Sequence, residues 1–142
     1  MANLVYNSFK KAVMLGTFNL ESYPVYCALV SNSYTPDGDT HVYHSSLTNV
    51  VTPSNYTASF ALSAPVVSTN NTTNEGVFDA PDALMANVTF STTVRAAVLF
   101  GSSGGGSALD PLIAYVDFGS DQSVTAGTFQ IQWASGGILA LT

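Results

Sequence analysis

From residue 23 onwards, short runs rich in Val, Ile, Thr, Phe and Tyr recur about every ten residues, each cut off by Gly, Pro, Asn or Ser. The runs are YPVYCALVSN (23–32), LTNVV (47–51), YTASFAL (56–62), EGVFDA (75–80), MANVTF (85–90), TVRAAVLF (93–100), LIAYVDFG (112–119), GTFQIQW (127–133) and GILAL (137–141). This punctuation predicts an all-β fold, a β-sandwich or barrel-like arrangement of about eight short, mainly antiparallel strands. YPVYCALVSN is apolar on both alternations, which predicts a central strand covered on both faces. In GTFQIQW, Phe129, Ile131 and Trp133 alternate with Gln130 and Gln132, which predicts one dry face and one wet face. TPDGDT (35–40) reads as a turn cluster, and GSSGGGS (101–107) as a flexible tip between two strands.

One segment breaks the pattern. Val5, Phe9, Ala12 and Val13 fall at i, i+4, i+7 and i+8 and share one helical face. This predicts a helix at about residues 4–15, capped by Asn3, with Lys10 and Lys11 towards its C-terminal end and Gly16 just past it. The apolar stripe has to dock on the chain's own sheet or on a neighbour. With 142 residues, no internal repeat and no linker, residues 1–142 are expected to form a single domain.

Charge narrows the function. Only Lys10, Lys11 and Arg95 are basic against nine acids, giving a net charge of −6. No cluster of cations exists to hold phosphates, so nucleic acid is not a partner. No stretch reaches the ~20 apolar residues of a membrane helix, and no secretory signal opens the chain. So few charges on a chain that is 46% hydrophobic suggest a surface partly covered by other subunits. Cys27, the single cysteine, cannot form an intrachain disulfide, and in VYCALV it reads as a core residue. Four Asn-x-Ser/Thr sequons, at Asn55, Asn70, Asn71 and Asn87, are expected by chance in a chain this rich in Asn and Thr.

Candidate chemistry is sparse. DFG (117–119) resembles the tripeptide with which kinases hold magnesium, yet no glycine-rich phosphate loop, strand lysine or His-Arg-Asp accompanies it. Asp117 is therefore expected to end a buried strand and open a polar turn, with Gly119 free to take a positive φ. GSSGGGS has no Lys-Ser/Thr after it and is no P-loop. Asp37, Asp39, His41 and His44 match no EF-hand or helical His pair, and Asp79 and Asp82 in DAPD read as turn acids. With two histidines in one loop and no nucleophile motif, no catalytic, metal or cofactor residue is assigned. Arg95 interrupts the apolar run TVRAAVLF, so it is either solvated at a sheet face or, the reading favoured slightly, paired with a carboxylate, within the chain or across a subunit boundary.

The order of segments YNSFKKAVMLGTFNLES, YPVYCALVSNSYTPDGDTH, EGVFDAPD, TVRAAVLF and PLIAYVDFGSDQSVTAGTFQIQWASGGILAL resembles a family of small tailed-bacteriophage virion proteins. Where that family carries a Gly-Tyr-Thr and a glycine pair, this chain has SNYTASFALS (54–63). The resemblance implies a non-enzymatic virion component without cofactor, made in the host cytoplasm. Its role would be a capsid decoration (cement) protein on the outer surface of the major capsid protein shell. Such a protein is expected to be a homo-oligomer, trimer or dimer. Val5, Phe9, Val13 and Arg95 are the expected partner contacts. The alternative is a tail or head-fibre module for host attachment, binding carbohydrate through exposed aromatic rings. Tyr34, Tyr43, Tyr56 and Trp133 are its candidates, with Trp133 better placed in the core.

Overall fold

A computed structural model describes residues 2–142. Eleven strands and one α-helix follow in the order β1 (Leu4–Val5), α1 (Asn7–Met14), β2 (Val25–Val30), β3 (Val50–Val51), β4 (Ser59–Ala61), β5 (Val66–Asn70), β6 (Glu75–Asp79), β7 (Ala83–Val88), β8 (Val94–Gly101), β9 (Leu112–Gln122), β10 (Gly127–Ile131) and β11 (Leu139–Leu141). A short 3-10 turn at His44–Ser46 precedes β3. Every strand pairing is antiparallel. The chain is mostly β with a single helix, as the punctuation predicted.

The main sheet runs β1-β9-β8-β2, and the far edge of β2 is shared by β3 and β4. β3 pairs with Leu29 and Val30, and β4 with Tyr26, Cys27 and Ala28. Alternate residues of β2 point into two separate cores. Val25, Cys27 and Leu29 join Ala97, Leu99 and Ile113 on one face, against Phe9, Phe18, Phe78, Met85 and Phe129. Ala28 and Val30 join Val98, Phe100 and Tyr115 on the other, against Tyr6 and Tyr34. β2 is thus the doubly covered strand that its unbroken apolar run demands. Two small sheets, β10-β7 and β11-β6-β5, lie apart from the main one and supply Phe78, Met85 and Phe129 to the first core.

The helix starts later than its periodicity suggests. Residues 4–5 are drawn into the sheet as an edge strand, with Leu4 opposite Tyr115 and Val5 opposite Ala114. Tyr6, not Asn3, is the N-cap, and it contributes no side-chain cap. Asn3 instead accepts a hydrogen bond from the Asp117 backbone N–H at 2.9 Å. The C-terminal end follows expectation. Gly16, at φ 68°, donates to Val13 O, and Thr17 donates to Ala12 O, the paired bonds of a Schellman stop. Phe9 is buried against the chain's own core, while Val5 and Val13 beside it are half-buried.

β9 departs most from the sequence reading. It does not end at Asp117 but continues to Gln122. Val94 pairs with Gln122 and Ala96 with Asp117, so Arg95 alone lies opposite residues 118–121. DFGSDQ is a wide bulge within a strand rather than a turn after one. Gly119, at φ 79°, makes that bend without a Cβ penalty. β5 also lies outside the predicted runs.

Candidate interaction surface

The bulge is built around a charge. Arg95 Nε donates to Asp117 Oδ1 at 2.7 Å, and its Nη2 to Asp117 Oδ2 at 3.3 Å. Asp121 Oδ1 lies 3.7 Å from Nη1. The Arg95 side chain is 25% exposed and that of Asp117 only 3%. The carboxylate also accepts from Gly119 N–H at 2.8 Å. The guanidinium holds the Asp117 carboxyl well below the usual carboxylate range, against the opposing effect of burial, with Gly119 N–H assisting. Arg95 therefore has its ion pair inside the chain, across neighbouring strands. Asn32 Nδ2 donates to Asp121 Oδ2 at 2.8 Å and ties the segment after β2 to the same bulge. A cleft of about 360 Å³ lies beside it, lined by Phe118, Gln122, Gln130 and Gln132 as well as Asp117. Asp117 cannot serve there as a free base or metal ligand while Arg95 occupies it.

The loop after β2 covers the second core and accounts for the candidate metal ligands. Asp37 Oδ1 accepts from the N–H groups of Asp39 and Thr40 at 2.9 and 3.1 Å, which closes the turn. Hydrogen bonds from Thr40 and then Asp39 N–H hold the Asp37 carboxyl low. Asp39 Oδ1 accepts from Asn7 Nδ2 at 2.6 Å. His41 Nδ1 receives Asp37 N–H at 3.3 Å, so it is an acceptor, and the Tyr34 hydroxyl at 2.9 Å donates to it. Tyr34 O is then left to accept from Tyr6 OH at 3.0 Å. Burial pushes both phenols up. His44 stands apart, stacked on Phe100 with ring centroids 4.2 Å apart, and burial pushes it down. Among the described residues no three His, Cys, Asp or Glu side chains converge on a metal position. Asp82 is likewise occupied, accepting from Trp133 N–H at 3.0 Å and from Gln130 Nε2 at 3.3 Å. Asp79 Oδ1 is buried without a hydrogen-bond partner.

The aromatic candidates divide. Tyr34 is an interior residue, not a surface platform, because its hydroxyl finds partners inside the second core. Tyr56 is half-buried, its hydroxyl bonded to both the N–H and the carbonyl of Ala86. Trp133 is half-buried against the first core, with Nε1 donating to Pro81 O at 3.2 Å. Tyr43 is exposed. The tip 101–107 is tied to the residues that follow it, since Asp110 Oδ1 accepts from both Ser103 N–H and Ser103 Oγ.

What remains open is apolar. Val5, Phe9 and Val13, three of the four expected contacts, form one wall of a groove between α1 and the sheet β11-β6-β5. Val67, Phe78 and Leu141 form the other wall, and the groove encloses about 120 Å³. Beyond Val13 the helix ends in Met14 and Leu15, 86% and 64% exposed, and Leu141 on the opposite wall is 68% exposed. Lys10 and Lys11 are exposed on the same helix. The sequence stripe located the helical wall; the sheet wall was hidden, because VVSTN has neither alternation nor a continuous apolar run. Comparison with family models, with curated proteins and with solved structures gives no match.

Proposed function

We propose that the chain is a non-enzymatic structural subunit of a bacteriophage particle, a capsid decoration protein seated on the outer surface of the major capsid protein shell. The observation that carries this reading is the set of exposed apolar side chains, Met14 and Leu15 at the end of α1 and Leu141 on the wall of the groove between α1 and β5-β6-β11. Large apolar side chains left open on the helix and on the facing sheet mark a surface made to be covered. The segments behind the family resemblance have structural uses in this fold. DFGSDQ is an Arg-clamped bulge, and SNSYTPD carries Asn32 onto that bulge and Tyr34 into the second core. A decoration protein acts mechanically, many modest contacts together resisting separation of neighbouring shell units.

Peptide mass spectrometry with copy-number estimation on purified particles, with and without tails, tests the reading. Hundreds of copies retained on tailless heads are expected. A dozen or fewer copies, lost with the tail, would sink it. Replacing Met14 and Leu15 together by Asp should leave the monomer folded and abolish retention on heads.

A further inference from the structure

β5 is an edge strand in an unusual condition. It pairs with β6 on one side, and among the described residues no strand pairs with its other side. Val66 and Val67 are 56% and 42% exposed, and Ser68 and Thr69 are exposed as well. Protected edges carry a charge, a proline or a bulge that stops another strand from adding. Residues 66–70 hold none of these, and the pairing with β6 runs in unbroken register from Val66–Asp79 to Asn70–Glu75.

We propose that β5 pairs antiparallel with β5 of a second copy of this chain, joining two three-stranded sheets into one of six across a two-fold axis. Charge argues for this occupant. A chain of net charge −6 repels its own copies, and that repulsion is weakest where the facing surfaces hold no charge within the screening length. Between Asp39 and Glu75 there is no Asp, Glu, Lys or Arg, and β5 lies wholly inside that stretch. A partner of opposite charge would be met through the acids, which this edge does not offer.

The register is self-complementary. With Ser68 on the axis, Val67 faces Thr69 of the second copy and Val66 faces its Asn70. Glu75 and the second copy's Asp79 are then separated by three strand spacings, roughly 14 Å, beyond the screening length of about 8 Å at physiological salt. Val67 also lines the apolar groove, so the pairing places the two grooves on one continuous sheet. This inference rests on the reading of the chain as an assembling subunit but is tested apart from it.

The test uses the purified full chain, in which the only native cysteine, Cys27, is buried. Across such an axis the two copies of residue 68 lie about 4.5–5.5 Å apart at Cα, within the span of about 4.4–6.8 Å that a disulfide bridges. Ser68→Cys should therefore give a covalent dimer on mild oxidation. Ser120→Cys, exposed in the β9 bulge, should stay monomeric. In sedimentation the unmodified chain should show a concentration-dependent dimer, and Val67→Lys should shift it to monomer without changing its circular dichroism. No cross-link at residue 68, or a dimer that persists in Val67→Lys, overturns the pairing. Many copies on tailless heads without the cross-link would leave the decoration reading standing and remove this one. A cross-linked dimer absent from particles would do the reverse.

Discussion

Arg95 lies opposite the bulge of β9 with its Nε 2.7 Å from Oδ1 of Asp117, at the start of that bulge, and their contact closes β9 onto β8. One guanidinium fills the gap where four residues of β9 stand opposite one of β8, and reaches towards Asp121 as well. Because the Asp117 carboxyl titrates lower in the folded chain than in the unfolded one, the folded state binds fewer protons in that range. Its contribution to stability is fully present above the unfolded value, about 3.9, and is lost as the pH falls through the depressed folded value. Asp117→Asn should lower the thermal midpoint at neutral pH by several degrees, with the gap to the parent narrowing below about pH 4. Melting curves across pH check this; a gap independent of pH would refute the role of the charge.

Tyr34 stands between Tyr6 and His41 in a chain of donated hydrogen bonds. Tyr34→Phe removes the link and strands the buried Tyr6 hydroxyl, at a cost of about 1–3 kcal/mol. Tyr6→Phe removes only the outermost donor and should cost about 0.5–1.5 kcal/mol. Denaturant titration of the two variants gives the order; equal losses would contradict the direction of donation inferred from Asp37 N–H.

Gly101 closes β8 against the Phe18 ring. A Cβ built there would collide with Phe18 Cε2 and Cζ. Phe18 cannot step aside freely, because it stacks on Tyr23 at 4.8 Å and meets Phe9 edge-on at 5.5 Å. Gly101→Ala should destabilise by about 1–3 kcal/mol. Combining it with Phe18→Leu should recover part of that loss, which a double-mutant cycle measures.

Ala126 holds φ at 46° just before β10, while its N–H donates to Thr89 Oγ1 at 2.9 Å. The left-handed conformation costs a residue with a Cβ about 1–2 kcal/mol. Ala126→Gly should therefore stabilise the fold, by less than that amount because glycine gains freedom when unfolded. A rise in the denaturation midpoint with unchanged slope is the expected record.

The legible parts were those in which a local pattern and its tertiary use coincide. The unbroken apolar run of β2 requires two covered faces, and Gly16 stops the helix within its own turn. Three features depended on partners far along the chain. Asn3 looks like a helix cap but serves Asp117, on a strand more than a hundred residues away. DFGSDQ reads as a turn because glycine and polar residues cluster there, and only Arg95 opposite makes it a bulge. Tyr34 sits in a polar turn sequence, yet the second face of the sheet needed a lid and that turn supplies it. β5 has weak strand character of its own and takes its form from β6. Of the candidate surface, the helical wall followed from periodicity, whereas its sheet wall needed the topology.

The main sheet has no uncommitted face. A change of volume in β2 or β8 presses on neighbours above and below at once, so these strands have little room to drift. The two small sheets differ, since each owes the molecule only one side, and substitutions on their outer residues disturb nothing beneath. Substitutions can therefore collect on the outer sides of the small sheets while the central frame stays intact.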